Sequence, residues 1–306
     1  MHETPSLAPI DPGTPPGPGG RQATLAAGFA RSGRGLHTGR RARVRVLPAP
    51  AGHGIVFHRT LPGGRVAAVP ALWHLRERQP LCTALRVEGV LVRTVEHLMA
   101  ALSASRIDNA RVEIDAEELP IFDGSAVPWC EGIGEAGRAE QDASRRVIRV
   151  RRTVEVREGR RSLRLDPTGP GEGLHVSGHV ALAHLGPLDW SGEITPETFR
   201  EEIAPSRSFG RYWRAMAGRA YGTLARKPFL RGCGPRSAAL LVRGRVIGGM
   251  RLPGEPVRHR VLDVVGDLAL AGHPIAGRVT AAHTGHELNH ALLAALMADR
   301  DAWELI

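Results

Sequence analysis

V-R-H-R-V-L-D-V-V-G-D-L-A-L-A-G-H-P-I-A-G-R-V-T-A-A-H-T-G-H-E-L-N-H, running from Val257 to His290, is the stretch that decides how this chain is read. Val257, Val261, Leu262, Val264, Val265, Leu268 and Leu270 form an apolar band at helical spacing, and Gly272 with Pro274 predicts where that helix stops. His259, Asp263 and Asp267 recur at i, i+4 and i+8, so all three project from one face. An imidazole one turn from a carboxylate supplies two of the three protein ligands a catalytic zinc needs, with the fourth position left for water. The same spacing also suits a surface ion pair. Here, however, the polar groups interrupt an apolar helix, and a third ligand candidate, His97, lies far upstream in Thr94-Val95-Glu96-His97. A lone histidine at a helix start reads more often as a capping or core residue than as a ligand. Neighbouring helical residues point about 100° apart, so Glu96 and His97 divide the work. One binds metal and the other reaches the water that attacks a carbonyl.

With 306 residues, 42% apolar and 24% charged, the chain has room for one large or two ordinary globular domains. Cys82, Cys130 and Cys233 are odd in number and far apart, which excludes a disulfide framework and a thiolate zinc knot and points to a reduced, cytoplasmic setting. No charged segment followed by an apolar one opens the sequence, and no apolar run is long enough to cross a bilayer. The expectation is at most peripheral membrane contact. A net charge of +10 permits anionic ligands, phosphorylated small molecules among them. Arginine is scattered along the chain and aromatics are few, so no nucleic-acid platform is expected.

Residues 1–20 hold ten Pro or Gly and predict a disordered N-terminal arm. Strands are predicted over Ala42–Leu47 and Gly54–His58, and a hairpin over Thr83–Val92 reversing at Glu88-Gly89. A helix from Val95 to Ala104, a strand over Asn109–Ile114 and a helix after Ser125 complete the first cycle. In the second cycle the pattern predicts strands over Val147–Val156, Ser162–Leu165 and His175–Leu182, with a turn at Glu158-Gly159. Thr195-Pro196 opens a helix through Ile203; a strand over Ala238–Ile247, the 257–271 helix, a strand over Ile275–Ala281 and a helix from Gly285 to Ala302 follow. The order of elements recurs, which predicts two similar α+β domains, 21–140 and 145–306, with the boundary in the polar stretch 138–145.

The residues now assembled resemble the UDP-3-O-acyl-N-acetylglucosamine deacetylase family, zinc amidases at the committed step of lipid A synthesis. The resemblance runs from about Arg21 to Ile306. It rests on G-L-H-T-G at 35–39, T-V-E-H at 94–97, D-N at 108–109, E-L-P-I-F-D-G-S-A at 118–126, S-R-S-F-G at 206–210, V-R-H-R-V-L-D at 257–263, G-D-L at 266–268 and T-G-H-E-L-N at 284–289. It implies His97, His259 and Asp263 as zinc ligands, with iron(II) an alternative for such a set. Glu96 is then the base acting on the zinc-bound water, His286 the protonated partner of the oxyanion or leaving amine, and Asp267 the carboxylate that orients His286. Ser208 stands where the family usually has Thr and keeps a hydroxyl for the tetrahedral oxygen. Phe209 lines the sugar site, with Gly210, Arg258 and Arg260 as further substrate-binding candidates. The implied fold is two similar layered α/β-sandwich domains of β-α-α-β type, with the active site at their interface. An insert near 175–190, shorter than usual, forms an apolar passage for the acyl chain. The implied substrate is a UDP-linked acylated glucosamine, and the implied state a monomer.

Two departures stand out. Arg260 replaces the usual lysine, and a planar fork is not a neutral swap beside a reacting centre. Cys233 to Ala239 stands where the family has a Gly-Gly-Ser loop followed by Asp-Asn. They keep open a divergent relative with other amide or acyl-chain specificity, or a metal-binding homologue with weakened turnover.

Overall fold

The structure, a computed structural model, describes residues 19–306 as twenty strands and six helices, a mixed α+β architecture. Residues 1–18 of the arm read from composition lie outside the described residues. A five-stranded sheet forms from β2 (Phe29–Arg34), β3 (Arg41–Pro48), β9 (Ala110–Ile114), β4 (Ile55–Thr60) and β5 (Val66–Pro70), in that spatial order. Its β3 alternates exposed Arg with buried Ala and Val, as the period-two pattern requires. A small sheet combines β6 (Arg76–Glu77), β7 (Ala84–Val87) and β8 (Val90–Arg93), and β7 turns into β8 at Glu88-Gly89, both at positive φ.

The seven-stranded sheet has the path β12 (Val154–Glu158), β13 (Arg161–Asp166), β19 (Ile275–Ala282), β11 (Ile148–Val150), β20 (Trp303–Leu305). The hairpin of β14 (Leu174–Leu182) and β15 (Gly186–Glu193) joins it through parallel pairing of β14 with β19. A third small sheet holds β16 (Phe209–Arg211), β17 (Ala239–Val242) and β18 (Arg245–Val246). The helices are α1 (Glu96–Ala104), α2 (Val127–Ala136), α3 (Pro196–Thr198, widening into a π turn over Phe199–Ile203), α4 (Tyr212–Leu224), α5 (Glu255–Leu268) and α6 (His286–Ala298). Here α2 rests on β2, α6 on β12 and β13, and α5 on β14, while α1 lies directly against α5. One continuous apolar core runs through α1, α2, the π turn, α5 and α6, with Leu98 and Leu102 of α1 in the same cluster as Val261, Leu262 and Val265 of α5. A smaller core gathers Leu36, Ile121, Ala215, Leu230 and Leu240.

Several elements differ from the sequence reading, each for a local reason. Val147–Val156 is two strands, because β11 pairs with β19 and β20 whereas β12 pairs with β13. The turn after β12 falls at Gly159-Arg160. Ala238–Ile247 is a hairpin, since Arg243 and Gly244 take positive φ and reverse the chain. The last helix ends at Ala298, and Trp303–Leu305 becomes an edge strand. Polar Arg138–Ser144 is not a loop but β10, paired antiparallel with β1 (Arg21–Leu25). Helix α4 and strand β15 went unread.

The D-N motif stitches this seam. Asp108 accepts from the Ala23 amide (2.9 Å) and from Arg145 (2.7 Å). The buried Asn109 amide donates to Gln22 (2.9 Å) and Gln141 (2.8 Å) and accepts from Gly54 (2.8 Å). Replacing Asn109 by Ala strands those groups at a cost of about 1–3 kcal/mol, read as a lower urea midpoint at unchanged slope.

Candidate metal centre and active site

Strand β8 ends at Arg93, and Thr94, at φ 59°, turns the chain so that Glu96 and His97 open α1. Opposite them, His259, Asp263 and Asp267 occupy one face of α5, as their spacing predicted. The two helices approach closely because Gly266 has no side chain. A Cβ there would lie 2.2 Å from the Glu96 carbonyl oxygen.

This crossing brings donor atoms of His97, His259 and Asp263 within 4.8 Å of one another, all three buried. The two imidazole rings lie 5.1 Å apart, inclined at 74°. His259 donates through Nδ1 to the Ser206 carbonyl (3.1 Å), which leaves Nε2 facing Asp263 Oδ1 at 3.5 Å. Two ligands of a tetrahedral ion with bonds of about 2.0–2.1 Å sit about 3.4 Å apart, so this spacing fits a shared cation. Burial pushes both imidazoles down to about 3, keeping them neutral with lone pairs free. Burial also raises Asp263, a carboxylate without enough positive charge beside it. Two nitrogens and one oxygen, dry and pre-aimed, suit a divalent cation.

Around the triad lies a proton-handling network. His286 opens α6 and places Nδ1 2.9 Å from Asp267 Oδ2 and Nε2 4.0 Å from Glu96 Oε1. Asp267 also accepts from Asn289 Nδ2 (2.8 Å) and from the Thr83 hydroxyl (2.5 Å). That hydroxyl has spent its one proton, so His290 must donate to it through Nε2 (3.0 Å). Glu96 accepts the Thr83 amide (3.0 Å). Burial alone would push His286 down; the carboxylates of Asp267, Asp263 and Glu96 overcome it and hold the ring up at about 10. Burial likewise opposes ionisation of Asp267, but His286, His290 and its hydrogen bonds hold it at about 2. For Glu96, burial wins over His286 and lifts it to about 8.

Ser208 is fixed by its backbone, which donates to Gly124 (2.7 Å) and accepts from Ala239 (2.7 Å). The Phe209 ring stands 6.3 Å from that of His259, and Arg260 lays its guanidinium 4.9 Å over Phe209 while reaching Asp263 at 3.4 Å. Gly210 sits in β16 opposite Leu240. Arg258 turns elsewhere, to the Glu202 carboxylate (2.7 Å) and the Pro253 carbonyl (3.0 Å). Thr83 and His290 escaped the sequence reading. His290 was findable, since it follows His286 at i+4 on the same helix face; nothing marked Thr83.

Residues 22–298 match the family model described as LpxC, UDP-3-O-acyl N-acetylglycosamine deacetylase. The chain belongs to this family. Relatives that carry the name UDP-3-O-acyl-N-acetylglucosamine deacetylase include one from Stenotrophomonas maltophilia, 38% identical over 94% of this chain and 93% of its own. Another, from Myxococcus xanthus, is 37% identical over 93% and 89%, and one from Syntrophotalea carbinolica 34% identical over 93% and 90%. The chain is thus a hydrolase of the deacetylase type, and the His97, His259 and Asp263 group is a possible site for the metal on which the family depends. Within the family's frame, the altered 233–239 loop is closed internally, Ser237 Oγ accepting from Gly234 and donating to the Gly232 carbonyl, both 3.0 Å.

A methyl group at residue 266 must push α5 off α1. Gly266→Ala is therefore expected to lower zinc affinity at least tenfold while circular dichroism shows the fold retained, a separation measured by competitive chelator titration.

Proposed function

We propose that this deacetylase removes the N-acetyl group from a UDP-linked 3-O-acylated glucosamine, using one divalent cation at the crossing of α1 and α5. The single observation that carries the reading is the convergence of three buried metal donors with Glu96 and His286, whose side chains lie 4.0 Å apart. His97, His259 and Asp263 would hold the cation (zinc, with iron(II) as the alternative), which would supply Lewis acidity to the amide carbonyl and positive charge favouring the carboxylate form of Glu96. Glu96 takes the proton of the attacking water. His286 carries the proton needed by the departing amine, and Asp267 keeps that ring charged and oriented through Nδ1. Ser208 offers a hydroxyl to the tetrahedral oxygen, and Phe209, Gly210 and Arg260 border the sugar. Arg258 acts on the substrate side only by steadying Glu202 and Trp190, with its guanidinium 6.0 Å over the indole.

In this reading the units 21–140 and 145–306 are two similar layered α+β halves whose helices face each other, with the active site between them. The contact of α1 with α5 supports it. The acyl chain then lies at the β14–β15 hairpin, outside the inner face whose Val176, Val180 and Trp190 are already packed in the core. Arg260 over Phe209 favours a second reading, an acyl length or amide unlike that of the relatives, which assays with UDP-sugars of graded 3-O-acyl length distinguish.

Metal analysis coupled with acetate release tests the proposal. His97→Ala and Asp263→Ala are expected to lose bound zinc and activity together, whereas Glu96→Gln keeps the metal and loses about 10²–10⁴-fold in kcat. Full acetate release from metal-free protein would end the reading.

The pH profile gives a separate check. His286 must stay protonated, so activity falls as pH rises through its value of about 10. Asp267→Asn removes a carboxylate that raises His286, so the alkaline limb of kcat/KM is expected to move to lower pH by at least about one unit.

A further inference from the structure

The cations of this chain are spread along it, but its anions are not. Between Ile203 and Gly254 there are eleven Arg or Lys and no Asp or Glu; the other 30 of the 41 basic residues share the rest of the chain with all 31 acids. The net charge of +10 is therefore concentrated in one segment. Arg207 pairs with Glu255 and Arg251 with Asp123. Among the described residues, the other nine cations have no carboxylate partner.

Among the described residues, the same segment carries most of the large exposed apolar side chains. Trp213 is 74% exposed, Tyr221 58% and Leu224 84%, with Ile247 and Met250 nearby in sequence. The first three lie on α4, whose opposite face is firmly seated: Ala215 and Gly222 are buried, and a Cβ on Gly222 would come within 1.9 Å of the Phe229 carbonyl oxygen. Trp213, Ala217, Ala220, Tyr221 and Leu224 are all exposed and follow helical spacing, so they form one outward stripe. Exposed Arg211 and Arg214 flank its start, and exposed Arg226 and Lys227 its end. An amphipathic helix turned with its apolar stripe to solvent and cations at its margins has the composition of an element that lies in a membrane interface.

We propose that α4 docks this protein on an anionic lipid surface, with Trp213, Tyr221 and Leu224 entering the boundary between headgroups and acyl chains and the surrounding Arg and Lys meeting the headgroups. Charge complementarity favours an anionic surface over a neutral one. The outward Leu224 and Trp213 favour lipid over a nucleic acid, whose phosphates gain nothing from an apolar stripe. The inference stands on charge and exposure and does not depend on the deacetylase chemistry. It does place the reaction near the lipid, because α4 follows directly on β16, whose Phe209 faces His259.

The test is co-sedimentation of the full chain with vesicles of phosphatidylcholine alone and of phosphatidylcholine mixed with phosphatidylglycerol, at low and high salt. Binding to the mixed vesicles only, weakening as salt rises, is expected. The pairs W213E/L224E and R226E/K227E should each lower partitioning by about tenfold or more. Both should retain the circular dichroism of the parent and its acetate release from a soluble, short-acyl substrate. Three results overturn the proposal. One is failure of the parent chain to bind mixed vesicles at low salt, and another is full binding by W213E/L224E. The third is displacement of the vesicles by single-stranded DNA whose own binding W213E/L224E leaves intact, which assigns the segment to a nucleic acid instead.

Discussion

Two helices touch backbone to backbone at Gly266, and the chemistry of the molecule is arranged around that contact. Helix α1 contributes Glu96 and His97, while α5 contributes His259, Asp263 and Asp267. A side chain at the crossing would push the two groups apart. The flanking apolar residues, Leu98 and Leu102 against Val261, Leu262 and Val265, hold the pair together without competing for polar partners.

Packing so many ionisable groups in a dry space is costly unless each is matched. Asp267 is matched fully, by an imidazole, an amide and a hydroxyl, and stays ionised. Glu96 receives a single backbone amide and a more distant imidazole, and burial lifts it. Two carboxylates on facing helices are thereby driven apart, Asp267 down to about 2 and Glu96 up to about 8. His286 belongs to both, bonded to one and facing the other.

Much of this was legible in the sequence. The i, i+4, i+8 polar triplet on an apolar helix located His259, Asp263 and Asp267, because side-chain direction on a helix follows from spacing alone. Motif order supplied the upstream partners, and the structure brings them to the same face. Thr83 was invisible, since a hydroxyl at a strand edge acquires meaning only when a carboxylate arrives from residue 267. Helix α4 was missed because its apolar residues lie on both faces, Tyr212, Ala215 and Met216 inward and Trp213, Tyr221 and Leu224 outward, which blurs the helical period. Strand β10 was missed because polar Arg138–Ser144 pairs along an edge, where backbone hydrogen bonding rather than side-chain burial decides the structure. Arginine was noticed as scattered, yet it was the missing acids that carried the information.

The buried pair of Arg207 and Glu255 closes the neck of the segment between them. Arg207 donates to Glu255 through its backbone amide (3.0 Å) and its guanidinium (2.7 and 3.0 Å), next to the Ser206 carbonyl that orients His259. Just beyond the clasp, Phe209 faces His259 at 6.3 Å, so the start of the segment belongs to the site while its outer part does not. The outward stripe of α4, in contrast, can drift without disturbing that clasp, so a lineage could retune where the enzyme works without retuning what it does.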